Sequence, residues 1–133
     1  MEVTCSSLWN IWRTNSSNDF STELVAEAKS RISNFSKDDW EEMAKEATSI
    51  TNDLVYLVKN NIPVDSNLAE KSFDDLIGHV NKWFFKTQYS YVITVAILAE
   101  NKKTKMSSFF DQFEPGLALY VSKLLITHSR KVQ

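Results

Sequence analysis

The stretch Ser36-Lys-Asp-Asp-Trp-Glu-Glu-Met-Ala-Lys-Glu-Ala-Thr-Ser-Ile50-Thr-Asn-Asp-Leu-Val-Tyr-Leu-Val58 decides the fold class of this chain. Trp40, Met43, Ala44, Ala47, Ile50, Leu54, Leu57 and Val58 recur at helical spacing and mark one core face. Ser36 suits the N-cap. Asp38, Asp39, Glu41 and Glu42 then bring carboxylates to the first turn, where they satisfy free N–H groups and complement the helix dipole. That acidic cluster therefore reads as a solvated helix start and not as a metal site. The helix is expected to end near Asn60-Asn61, ahead of Pro63, which cannot continue it.

The same pattern extends in both directions. Thr22 to Ser33 reads as a helix with Leu24, Val25, Ala28 and Ile32 on one face. Asp65 or Ser66 can cap a third helix, whose stripe is Ala69, Phe73, Leu76, Ile77, Val80, Trp83 and Phe84. Gly78 lies inside that helix at a cost of about 1 kcal/mol relative to alanine, which points to close contact with another helix. His79 beside it reads as a surface or boundary residue. Tyr89 to Ala99 is apolar nearly all round, as expected of a central helix packed on several sides. Asn101 to Lys105 reads as a solvated basic link, followed by a short aromatic helix with Met106, Phe109, Phe110 and Phe113. Pro115 suits the first turn of the last helix, whose inner face is Leu117, Tyr120, Val121, Leu124, Leu125 and His128. Residues 1–21 lack this period and form an irregular arm carrying Trp9 and Trp12. Residues 22–133 form one helical domain.

Composition agrees with this. A chain of 133 residues can hold one core and bury roughly two-thirds of its unfolded surface. Hydrophobic content of 43% with 12% aromatics suits a globular core, and two glycines and two prolines are too few for an all-β fold rich in turns. A net charge of −2 leaves no basic stripe, which argues against direct contact with nucleic acid. Cys5 is the lone cysteine, so no internal disulfide forms and no zinc spacing exists. Met1 to Trp12 has an acidic Glu2, no basic run and no sustained apolar stretch, so it does not read as a signal peptide. The most apolar stretch, Tyr91 to Ala99, has about half the length of a membrane span. A cytoplasmic protein with no membrane contact is expected.

Catalytic signatures are missing. The chain has two histidines, no Gly-rich phosphate loop, no GxSxG, no HExxH and no CxxC. Asp38-Asp39 and Asp74-Asp75 are neighbours in sequence, so on a helix each pair diverges by about 100°. The expectation is a protein that is not an enzyme and needs no cofactor or metal. What stands out instead is aromatic density: Trp83, Phe84, Phe85, Tyr89 and Tyr91 are followed closely by Phe109, Phe110 and Phe113. Such a set builds either an aromatic core or a concave apolar pocket with polar tips.

The order and spacing of several landmarks resemble the TipAS antibiotic-recognition domain, the effector module of some MerR-family transcriptional regulators, also produced alone. They are Phe35-Ser-Lys-Asp-Asp-Trp40, Glu46-Ala47 with Thr51, Pro63-Val-Asp-Ser66, Trp83-Phe-Phe85 with Tyr89, and Pro115-Gly-Leu-Ala-Leu-Tyr120. The resemblance covers about residues 35–130. It implies a globin-like all-α fold of six helices, with a cleft for bulky flat natural products such as thiopeptide antibiotics and an N-terminal segment that closes over it. Ligand contacts would then come from Trp83, Phe84, Thr87, Tyr89, Tyr91, Phe109, Phe113 and Tyr120, with Trp9 and Trp12 as lid candidates. Antibiotic-capturing members carry a reactive cysteine where this chain has Thr87, so capture here would be non-covalent. The family's histidine after Asp75 is Leu76, its Met-His pair is Tyr91-Val92, and a later tyrosine is Ala99. The implied function is recognition of an apolar or aromatic small molecule, peptide antibiotics among the candidates, by a sequestering protein or a ligand-sensing domain. With no helix-turn-helix in the chain, regulation would need a partner chain. The competing expectation is a helical protein-interaction module that kept the fold and lost the ligand, in which the cleft would be filled.

Overall fold

Local side-chain chemistry starts and stops the helices. The computed structural model describes residues 22–132, which form α1 Thr22–Ser33, α2 Lys37–Lys59, α3 Asn67–Trp83, α4 Tyr89–Glu100, α5 Lys105–Asp111 and α6 Leu117–His128, closed by a 3-10 turn at Ser129–Val132. No strand occurs among the described residues. The expected six-helix, all-α architecture is therefore present. The arm at residues 1–21, with Trp9 and Trp12, lies outside the described residues.

Helix α2 begins with a reciprocal cap. The Asp39 backbone N–H donates to Ser36 Oγ (3.1 Å), and the Ser36 N–H donates to Asp39 Oδ2 (3.0 Å). Asp39 thus plays the part usually taken by glutamate in a capping box. The helix ends in a Schellman motif. Asn61 has φ 52°, its N–H donates to the Val58 carbonyl, and the Ile62 N–H donates to the Leu57 carbonyl. Asparagine is one of the few non-glycine residues that tolerate this left-handed position. The next helix is capped by Ser66 and not Asp65, with the Ala69 N–H donating to Ser66 Oγ at 3.2 Å.

Pro115 sits one residue before the N-cap of α6, outside the expected first turn. Gly116 is the N-cap, with φ 91° and ψ −6°, and the Leu117 N–H donates to the Glu114 carbonyl at 3.0 Å. Those angles match a type II turn with proline second and glycine third. The positive φ is what requires glycine at position 116.

Helix α4 buries Val92, Val95, Ala96, Leu98 and Ala99 against α5, α6 and the terminal 3-10 turn. Tyr89 and Ile97 remain exposed at 40% and 60%, so α4 is less enclosed than its composition suggests. Gly78 also departs from expectation. It is exposed, and a methyl group added there would meet nothing within 4 Å, so no neighbouring helix explains it.

The core is divided. One cluster joins α2, α3, α4 and α6 through Ile50, Leu54, Leu57, Phe73, Val92 and Leu124. The other gathers Leu24, Met43, Ala47, Val80, Trp83, Phe84 and Phe85 under α1. Tyr91, Phe110 and Phe113 pack against both. Trp83 is buried, whereas Trp40 is only half-buried. Phe35 stands edge-on to both indoles, at 5.3 Å from Trp40 and 5.7 Å from Trp83. No helix among the described residues is long and apolar enough to cross a membrane.

Candidate functional site

The described residues leave the seam between the two clusters unfilled. Its cavity measures about 80 Å³. Helix α2 supplies Ala47, Ile50, Thr51 and Leu54 to the wall, and α3 supplies Leu76, Ile77, His79 and Val80. Phe84 and Phe85 follow from the end of α3, and Tyr91, Val92 and Val95 from α4. Met106, Phe109 and Phe110 of α5 and Val121 and Leu125 of α6 complete it. The wall is apolar apart from Thr51, His79 and Tyr91, and the Thr51 hydroxyl already donates to the Ala47 carbonyl at 2.9 Å. Thr51, Leu76, Ile77, Tyr91 and Phe110 are the half-buried members of the wall.

The polar end of the wall is His79. Its side chain is 1% exposed, and Nδ1 lies 2.8 Å from Glu46 Oε1. A carboxylate can only accept, so Nδ1 carries the hydrogen and donates. The same Glu46 oxygen accepts from Trp83 Nε1 at 3.3 Å. Lys82 Nζ stands 3.5 Å from Glu46 Oε2 and 3.2 Å from Glu42 Oε1, and 4.6 Å above the Trp83 ring centroid. Burial holds the His79 pKa below its ordinary value, a shift that outweighs the pull of Glu46 in the other direction. For Glu46, burial pushes the pKa up, but the hydrogen bond and charge of His79, together with Lys82 and Trp83, bring it below the usual range. Neutral His79 leaves Nε2 as an acceptor, and that atom is buried with no hydrogen-bond partner among the described residues. Burial also raises the Tyr91 phenol, so it stays protonated. Its ring meets Phe85 edge-on at 4.8 Å.

Of the ligand-contact candidates, Phe84, Tyr91 and Phe109 share the wall. Trp83 lies behind it, tied to Glu46. Tyr89 is exposed. Phe113 packs on Phe109 at 5.4 Å without reaching the cavity wall, and Tyr120 donates its hydroxyl to the Ile62 carbonyl at 2.8 Å, bracing the end of α2. Thr87 is buried, with its N–H donating to Asn81 Oδ1 at 2.6 Å, and it is not part of the wall. His79, read from the sequence as a surface or boundary residue, is buried. The residues at 76, 79 and 83 form one ridge of α3, so its inward direction was readable. Its partner Glu46, 33 residues earlier, was not.

The TipAS antibiotic-recognition domain model matches residues 17–128. The chain belongs to the TipAS family. No curated protein and no solved structure matches it. The TipAS match spans every helix that lines the cavity. It also takes in Ser36-Lys-Asp-Asp-Trp40, whose serine and second aspartate form the α2 cap, and Pro115-Gly116, which make the turn into α6. Among the described residues, no three His, Cys, Asp or Glu side chains are placed to hold a metal ion.

Proposed function

We propose that this TipAS-family chain binds a flat apolar or aromatic small molecule, reversibly, in the cavity between its two core clusters. The observation that carries the reading is an unfilled apolar seam in a member of an antibiotic-recognition family. A module that had lost its ligand would be expected to close such a seam, because empty apolar space forfeits contacts on every side. Size sets a limit on the ligand. A dry apolar cavity of about 150 Å³ accepts benzene, so about 80 Å³ admits only part of a ring until side chains in the wall move. Leu76, Ile77 and Phe110 are half-buried apolar members of the wall whose side chains would give way. A bulky antibiotic would insert one planar group and rest the remainder outside.

The reading is binding without chemistry. His79 is the only wall residue with a free proton-accepting nitrogen, and no serine or cysteine stands beside it in the wall. The role would be to sequester a toxic compound in the cytoplasm or to act as the sensing part of a regulator through a partner chain. A thermal-shift screen of thiopeptides and planar aromatics tests this, since a ligand that binds only the folded state raises its stability by mass action. Active compounds should lose their effect in Ala47→Leu, which fills the wall from α2. No stabilising compound at millimolar concentration, or full retention of the shift in folded Ala47→Leu, would overturn the proposal.

A further inference from the structure

Among the described residues, His79 Nε2 and Thr87 Oγ1 are buried polar atoms without a hydrogen-bond partner, and of these two residues His79 belongs to the cavity wall. The imidazole is 1% exposed, lines the cavity and is held by Glu46 through Nδ1. Nε2 is the nitrogen left over, buried and unpaired among the described residues. Leaving a buried acceptor unsatisfied is destabilising; no described side chain pairs with Nε2, and His79 is one of the residues that line the cavity. Glu46 keeps the tautomer fixed, since the carboxylate demands the proton on Nδ1. Trp83 Nε1 and Lys82 hold the carboxylate in turn.

We propose that His79 Nε2 is the specificity-determining anchor of the cavity, and that the ligand presents to it a planar aromatic group bearing one N–H or O–H donor. This rests on the binding reading above and narrows it from any apolar molecule to phenols, azoles and indole-like heterocycles. A charged group is disfavoured there, because the rest of the wall cannot compensate an ion. The anchor differs from covalent capture: no bond is made, and Thr87 takes no part.

Indole and benzofuran test the anchor, being alike in shape with an N–H in one and an ether oxygen in the other. Titrations of each should give a ratio of Kd values, benzofuran over indole, that falls about three- to tenfold in His79→Phe, the range expected for one neutral hydrogen bond. In the wild-type protein with 15N-labelled histidine, indole should move the His79 Nε2 resonance and benzofuran should leave it nearly in place. That measurement needs no variant and decides the matter if His79→Phe does not fold. If both compounds bind wild type and the Nε2 resonance responds to both alike, or the ratio is unchanged in His79→Phe, the anchor is wrong while cavity binding stands. If neither binds at millimolar concentration, the anchor falls, and the binding reading is decided by the thermal-shift screen.

Discussion

His79 and Glu46 are a buried base and its half-exposed carboxylate, and each titrates below its ordinary range. The folded-state pKa of His79 lies below its ordinary 6.5, so the unfolded chain takes up its proton first. The contribution is complete above pH 6.5 and is lost as pH falls from there through the folded value. Glu46, also lowered, from 4.5, has the same sign and adds its loss in more acidic solution. The Tm should therefore fall between pH 7 and 5, and His79→Gln should flatten that fall. A wild-type Tm that rises on acidification across this range would contradict the assignment. The pair also marks where sequence reading stops. The ridge of Leu76, His79 and Trp83 follows from helical spacing alone, but the meeting of α3 with Glu46 depends on how two helices cross. No local pattern carries that.

At the scale of the element, helix boundaries were the most legible part of the molecule because caps are local. Ser36, Ser66 and the Asn60-Asn61 stop follow from side chains within a few residues of each end, and the α1 range follows from its apolar period. Pro115 was misplaced by the few residues that separate a helix start from the turn leading into it. Two substitutions test the packing of α2 and α3. Gly78 is exposed inside α3 with open space around it, so Gly78→Ala should raise stability by about 1 kcal/mol in urea unfolding. A loss of stability there would mean that the position is crowded. Trp83 is 6% exposed and holds Glu46 through Nε1, so Trp83→Ala should cost about 3–5 kcal/mol. Half-buried Trp40 should cost about half as much, in proportion to the area it removes from water. Equal losses in chemical denaturation would break the distinction between a core and an edge tryptophan.

The whole molecule is two apolar clusters joined by shared aromatics, with a cavity where they meet. The all-helical class was legible in the periodicity and the family in the spacing of its landmarks. The wall of the cavity was legible only in part. Phe84, Tyr91 and Phe109 were among the expected contacts, but aromatic density does not tell which rings face a seam and which fill a cluster. Val92, Val95, Val121 and Leu125 read as ordinary core residues, and they are; they also line the cavity. The central claim is that this seam, and not an outer face, receives the ligand. Methyl chemical-shift mapping with the most stabilising compound from the thermal screen tests it most directly. The account predicts that the methyl resonances of Ile50, Leu54, Val80, Val92 and Val95 move on binding. Shifts confined to the exposed side chains Ile97, Leu119 and Ile126, with the cavity methyls unmoved, would contradict it.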